Sequence, residues 1–317
     1  MFIGTNGIVV DNKGRVLLIL RDNTRTWAIP GGTLEAGELP TDGVAREVEE
    51  ETGISVMPAR LVGLYHWKDR AEDFLVLAFR CLIESGAIAR SEESPRVAFS
   101  QTDSLPWPML GLHKERLERG LVHKGGMPYW GEQSRTRTMI VWMRVVGPLV
   151  YRSKDIRRRM RGEPPYQPPL PWSIGAFVII QNEMGDILWV KRTDYDLWNL
   201  PGGGNEPGEA PWATAIRETR EESGLDVVLT DCSGIYVKPK RNQMVFTFTA
   251  LIIGGKLTTG NEAAEFAYIM PGNEPENTLP KHIDRVADAV SMKDATQFRI
   301  QDGPSGLEAL GANQPAG

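Results

Sequence analysis

The chain is written twice. Residues Trp27-Ala28-Ile29-Pro30-Gly31-Gly32 recur as Trp198-Asn199-Leu200-Pro201-Gly202-Gly203, and the same offset of 171 relates Gly4 to Gly175, Gly14 to Gly185, Arg21 to Arg192, Gly63 to Gly234 and Tyr65 to Tyr236. A constant offset over that span, without a gap, requires duplication of a whole domain. It also excludes a solenoid, whose units repeat every 20 to 50 residues or so. A length of 317 residues leaves each copy enough chain to bury its own core.

Each copy opens on two short apolar runs around a turn. Gly7 to Val10 and Val16 to Leu20 flank Asp11-Asn12-Lys13-Gly14, and Ala176 to Ile180 with Ile187 to Val190 repeat the arrangement, which predicts a hairpin in each copy. The Pro-Gly-Gly loop follows. A helix is predicted from about Pro40 to Thr52 and from Pro211 to Ser223, started by proline in the first turn and stopped by Gly53 or Gly224. Phe74 to Leu82 and Val245 to Ile253 read as further strands, so strands and helices mix in α+β fashion.

The stretch 125–171 finds no counterpart at this offset. It carries the basic cluster Arg152, Lys154, Arg157, Arg158, Arg159 and Arg161, an apolar run from Thr138 to Val146, and a proline-rich end suited to a stiff connector. The resulting division is a first domain at 1–124, a connector at 125–171, a second domain at 172–294 and a flexible tail at 295–317.

The chemistry-bearing residues sit at fixed spacing. Gly32 is followed by Glu38, Arg46-Glu47-Val48 and Glu50-Glu51-Thr52-Gly53-Ile54; Gly203 is followed by Glu209, Arg217-Glu218, Glu221-Glu222 and Gly224-Leu225 at the same intervals. On a helix, Glu47, Glu50 and Glu51 stand at i, i+3 and i+4 and share one face. Three like charges there destabilise a bare helix, and a hard divalent cation with oxygen ligands resolves the conflict. Mg²⁺ suits phosphate oxygens, with Mn²⁺ left open as a substitute. Arg46 can hold a neighbouring carboxylate by a forked hydrogen bond, as Arg217 can in the second copy. The competing reading is a merely solvated acidic helix, and recurrence of the full pattern twice in one chain weighs against it.

Both strings resemble the signature of the Nudix hydrolase family, G-x5-E-x7-R-E-U-x-E-E-x-G-U with U apolar. The first copy matches every position; the second departs only at Thr219, in place of an apolar contact, where the hydroxyl can bond back to the helix. The resemblance implies two tandem α/β/α sandwich domains with mixed sheets. It implies metal ligation by Glu47, Glu50, Glu51, Glu218, Glu221 and Glu222, with Arg46 and Arg217 beside them. Substrate and loop contacts fall to Gly31, Gly32, Glu38, Gly202, Gly203 and Glu209. The family usually adds a carboxylate six residues before a later aromatic, and Glu93 before Phe99 and Glu262 before Tyr268 fit that interval as extra ligands or bases. The implied reaction is attack of a metal-activated water on a pyrophosphate linkage in a nucleoside diphosphate bonded to another group.

Substrate signals are fewer. Pro239 lies near the position of a proline associated with ADP-ribose hydrolases, while Lys68 stands there in the first copy. Nucleoside triphosphates, ADP-ribose-like compounds, nucleotide sugars and dinucleoside polyphosphates all stay open. Tyr65 and Tyr236 read either as base-stacking residues or as core, with core the commoner use of such tyrosines. His66-Trp67 against Val237-Lys238 shows that the two pockets need not hold one ligand. Two working sites is the first reading; one catalytic domain with the other as ligand sensor or scaffold is the second, with Thr219 nominating the second copy as passive. A nucleotide-sensing transcription regulator would need a helix-turn-helix, which is not evident. An isoprenoid diphosphate isomerase would need a reactive cysteine motif, which Cys81 lacks.

Composition closes off other classes. A net charge of −5 provides no global field for nucleic acid or anionic membrane, and without interleaved aromatics the basic cluster is only a weak RNA signal. Two distant cysteines, Cys81 and Cys232, form no disulfide framework. No secretory signal or membrane-length apolar run is found, so a cytoplasmic protein is expected, with homo-oligomerisation open.

Overall fold

The computed structural model describes residues 1–68, 73–133, 162, 169–194, 196–291 and 295–303. The basic cluster Arg152 to Arg161, the apolar run Thr138 to Val146 and most of the tail lie outside them.

In the first half, β1 (Phe2–Val9), β5 (Phe74–Gly86), β4 (Ile54–Trp67) and β7 (Tyr129–Glu132) form one mixed sheet in the order β1-β5-β4-β7. β2 (Val16–Leu20), β3 (Trp27–Ala28) and β6 (Arg96–Ser100) form a small antiparallel second one. Helix α1 spans Pro40–Thr52 and α2 spans Gly111–Val122. Alternate residues of the larger sheet face opposite ways, as a strand's period of two requires. Leu75, Leu77 and Phe79 pack with Val44 and Val48 of α1; Val76, Ala78 and Tyr65 pack on the other side with Leu117 of α2. The layers are helix, sheet, helix.

The second half repeats this plan. β8 (Ser173–Ile180), β13 (Gln243–Gly255), β12 (Leu225–Lys238) and β15 (Gln297–Ile300) form the large mixed sheet, edged by β11 (Gly202–Gly204). β9 (Ile187–Arg192), β10 (Trp198–Asn199) and β14 (Ala263–Ile269) form the small one. Helix α3 (Pro211–Ser223) packs on one face through Ala215, and α4 (Pro280–Ser291) on the other through Val286. Both box helices run over the predicted residues and end on a left-handed glycine, Gly53 at φ 74° and Gly224 at φ 75°. Tyr65, Tyr236, Trp27 and Trp198 are all core residues.

Two expectations are corrected. The opening runs do not pair as hairpins: β1 pairs in parallel with β5 and β2 antiparallel with β6, as β8 pairs in parallel with β13 and β9 antiparallel with β14, leaving the bridges Val10↔Val16 and Gln181↔Ile187 at the turns. Each run gains more by completing a different sheet of the sandwich than by pairing with its neighbour. Nor does the repeat stop at residue 124. β7, inside the stretch read as connector, pairs with β4 as β15, inside the stretch read as tail, pairs with β12.

The halves share an apolar core. Phe79 meets Phe298 at 5.4 Å between ring centroids and Trp130 meets Phe248 at 5.7 Å, so β7 and β15 each help to cover the other half. The Trp172 amide donates to the Met1 carbonyl at 2.7 Å. At the rim the Gly208 amide donates to Asp73, and Pro239 lies against Gly37. Pro239 therefore serves as a contact between halves.

Candidate active site

The first box is built from the loop inwards. Gly31 adopts φ 143°, a conformation open to glycine, and directs its amide into the helix, where it donates to Glu51 at 2.7 Å. The Arg21 guanidinium donates to the Gly31 carbonyl at 2.8 Å and so holds the next peptide of the same glycine. Gly32 lies so near Glu47 that any side chain there would overlap its carboxylate. The second box copies these features: Gly202 at φ 140° donates to Glu222 at 2.8 Å, and Gly203 lies against Glu218.

Arg46 makes its fork with Glu38, at 2.8 and 3.0 Å, and reaches Glu47 at 3.0 Å and Glu50 at 3.3 Å through the remaining nitrogen. Arg217 forks onto Glu209 with two bonds of 3.0 Å and reaches Glu218 at 3.0 Å and Glu221 at 2.8 Å. Glu38 and Glu209 also accept from the backbone of their own loops, at Glu35 and Glu206. The fork thus ties loop to helix. Paired with carboxylates, both arginines titrate above their ordinary value.

Burial sorts the helix carboxylates. Glu51 and Glu222 are 8% and 5% exposed, and desolvation pushes both up to about 7. Glu47 and Glu218 are half-buried and are raised by the same cause. Glu50 and Glu221 stay exposed, each beside its arginine. In the second half, Glu262 comes from the loop before β14 to join Glu218 and Glu222, with ligand oxygens all within 4.8 Å of one another. Glu93 occupies the matching loop before β6, its backbone carbonyl accepting from the Asp22 amide at 3.0 Å. Thr219 bonds back to the Ala215 carbonyl at 2.7 Å, which satisfies its hydroxyl inside the core.

A cavity adjoins each box. The first, about 390 Å³, is lined by Asn6, Arg21, Gly32, Trp67, Phe74 and Arg116 among others. The second, about 370 Å³, includes Phe177, Arg192, Gly203, Lys238, Lys281 and Arg285. The α2 and α4 residues were missed in the sequence because the repeat offset falls there to 169, pairing His113 with His282 and Arg116 with Arg285, and to 168 at Gln133 and Gln301. Following the repeat with gaps allowed would have found them. Gln133 and Gln301 each accept from the buried arginine of their own half.

The two copies of this architecture match one family. The NUDIX domain model aligns with residues 2–118 and again with 171–290. The chain belongs to that family, as a tandem member, and is by class a pyrophosphate-cleaving hydrolase. It is 37% identical over 136 residues to a putative 8-oxo-dGTP diphosphatase of Bacillus subtilis, covering 43% of this chain and 90% of the relative. It is 40% identical over 115 residues to a MutT-like protein of Streptomyces ambofaciens, covering 36% and 73%. Among solved structures, a MutT protein from Bacillus halodurans overlays 44% of this chain and 93% of its own, at 28% identity and a TM-score of 0.39. No helix among the described residues is long and apolar enough to cross a membrane.

Proposed function

We propose that both halves hydrolyse the pyrophosphate linkage of a nucleoside diphosphate bonded to another group, each with a divalent cation, Mg²⁺ by preference, on its own box. The observation that carries this reading is the convergence of Glu218, Glu222 and Glu262, hard oxygen donors whose ligand atoms lie within 4.8 Å of one another. The donor set fits such an ion, because a buried carboxylate held near pH 7 next to two others is stabilised by positive charge. Glu47, Glu51 and Glu93 would serve in the first half, with Glu50 and Glu221 at the exposed edge. When bound, the cation neutralises phosphate charge and makes a coordinated water more acidic.

The chain's own groups orient the site. Gly31 and Gly202 fix Glu51 and Glu222 by backbone donation. Arg46 and Arg217 set the rotamers of Glu47 and Glu218, which are the residues placed to hold a proton or a metal. The bare glycines Gly32 and Gly203 let the substrate backbone approach those carboxylates. In the first cavity Trp67 stacks on Phe74 with centroids 5.0 Å apart, an aromatic wall suited to a nucleobase. A nucleoside triphosphate is the substrate this favours for the first half, in keeping with the 8-oxo-dGTP diphosphatase among the relatives. The free, buried thiols of Cys81 and Cys232 accord with a reducing cytoplasm.

The domain division carries over with one change: β7 and β15 belong with the folded halves that they complete. The Thr219 hydroxyl donates to the Ala215 carbonyl inside the core, which supports a working second box over a sensor or scaffold role for that half. Turnover of 8-oxo-dGTP, other nucleoside triphosphates, ADP-ribose, nucleotide sugars, dinucleoside polyphosphates and 5′-triphosphorylated RNA by wild type, Glu47→Gln, Glu218→Gln and the double variant tests the proposal. Taken over the whole panel, each single variant is expected to lose part of the turnover and the double variant all of it. Loss of every activity of the panel in one single variant, with none lost in the other, would reduce the protein to one working site.

A further inference from the structure

The two cavities begin as copies and end as opposites. Arg21 and Arg192, Gly32 and Gly203, His113 and His282, and Arg116 and Arg285 line them at equivalent places. Three exchanges then change the chemistry. Trp67 becomes Lys238, Leu112 becomes Lys281 and Asn6 becomes Phe177. Arg241 adds another cation to the second lining, which contains no aspartate or glutamate.

The buried arginine records the consequence. In the first half, every nitrogen of the Arg116 guanidinium is answered: Nε and Nη2 donate to Gln133 at 3.0 and 2.6 Å, and Nη1 donates to Asn6 at 2.8 Å. In the second, Nε and Nη2 of Arg285 donate to Gln301 at 3.2 and 2.9 Å, but the residue corresponding to Asn6 is Phe177, whose ring, its centroid 4.9 Å from the guanidinium carbon, offers a π face in place of an oxygen, and Nη1 has no hydrogen-bond partner among the described residues. Arg285 is fully buried and makes no ion pair among them. A buried cation left with an unanswered donor is costly unless a ligand supplies charge or an acceptor. Lys238 donates to Gln243 at 3.0 Å, and burial together with the nearby cations of Lys281 and Arg285 pushes it down to about 7, so the cavity concentrates positive charge that an anion would relieve.

We propose that the second cavity is an anion site that receives a phosphoryl group of its ligand beyond the pyrophosphate held at the adjoining box, whereas the first receives an uncharged ring. This rests on the reading of the second box as a pyrophosphate site. The phosphoryl group can belong to a nucleotide phosphorylated at a second position or to a polyphosphate chain, and both present the same oxygens to Lys238, Lys281 and Arg285. The two halves then act on different substrates of one reaction class.

Isothermal titration of the full chain in EDTA, with inorganic tripolyphosphate as probe, tests the site apart from turnover. One tripolyphosphate is expected per chain. Lys238→Met with Lys281→Met should weaken it about tenfold or more, since two close charges are lost. Phe177→Asn, which restores an acceptor to Arg285 as in the first half, should weaken it as well, while Trp67→Ala should not. Circular dichroism confirms that each variant is folded. Competition by adenosine 3′,5′-bisphosphate more strongly than by pyrophosphate identifies a nucleotide as the source; weaker competition identifies the polyphosphate chain, and either supports the site. Unchanged affinity in the folded double-lysine variant, or loss in Trp67→Ala, overturns it. Binding with the expected variant pattern but no hydrolysis of any pyrophosphate linkage by the second box would instead remove the hydrolase reading and leave the anion site standing.

Discussion

The backbone amide of Gly37, in the loop of the first box, donates to the side chain of Asn242, 205 residues away in the second half, at 3.1 Å. Asn242 holds φ 44°, and its amide nitrogen also donates to the carbonyls of Leu170 and Pro171 at 3.4 and 3.0 Å. One side chain therefore ties a catalytic-loop turn of one half to the strand entry of the other. At the matching place the Gly208 amide donates to Asp73, so each box loop is braced by the other half. Asn242→Ala removes the acceptor and forces a strained φ on alanine, with a stability loss of about 1 to 2 kcal/mol. Because the acceptor lost is the one that holds the Gly37 amide of the first box loop, turnover assigned to the first half should fall several-fold, and by more than that of the second. Equal loss at both sites would show that the brace is merely structural.

The glycine that follows each proline-glycine step cannot carry a side chain. Gly32→Ala should drive a methyl group into the Glu47 carboxylate, and Gly203→Ala into that of Glu218. Overpacking of this kind costs about 1 to 3 kcal/mol when the neighbour can shift. Here the neighbour is the functional group, so each variant should lose most activity of its own half at near-normal melting temperature. Retained kcat in either one would mean that Glu47 or Glu218 is free to move without consequence.

Arg46→Lys and Arg217→Lys preserve charge and remove the fork. Each lysine can serve Glu38 or Glu47, or Glu209 or Glu218, but cannot bridge loop and helix as the guanidinium does. A loss of about 1.5 to 3 kcal/mol in transition-state stabilisation is expected, read as kcat/KM at each site. A lysine variant matching wild type would reduce these arginines to surface ion pairs.

Burial of Glu222 makes a prediction about pH. Its folded-state carboxyl titrates at about 7, above the ordinary value of 4.5, so the folded protein holds a proton that the unfolded chain has released. Stability is therefore lost as pH rises from the ordinary carboxylate range through 7. In EDTA, Glu222→Gln should be the more stable protein at pH 8, by an amount on the order of 1 to 3 kcal/mol, and this advantage should shrink at pH 4. Added Mg²⁺ should raise the melting temperature of wild type more than that of the variant. A pH-independent difference would show that Glu222 stays ionised throughout.

The halves should not survive separation. Residues 1–133 alone would expose Phe79 and Trp130, which now pack on Phe298 and Phe248 across the interface. Such a fragment is expected to self-associate or melt far below the full chain, as sedimentation and thermal denaturation would report. A monomeric fragment with full stability would contradict a shared core.

The sequence by itself determined the duplication, the two box helices to their end residues, and the set of carboxylates and glycines around them. It could do so because those features are local: a proline that starts a helix, a glycine that stops it, and a 3.6-residue period that gathers glutamates on one face. Only the tertiary structure decided that β1 pairs with β5, that Arg46 forks onto Glu38, that β7 and β15 complete the sheets, and that Glu262 reaches the second cluster. Strand pairing and side-chain partnership join residues far apart in sequence, where burial and geometry choose among many chemically similar candidates. The divergence of Arg116 and Arg285 shows this most plainly. Both are arginines at corresponding places, yet one is answered by Asn6 and the other faces Phe177, a difference created by a strand more than 100 residues earlier in the chain.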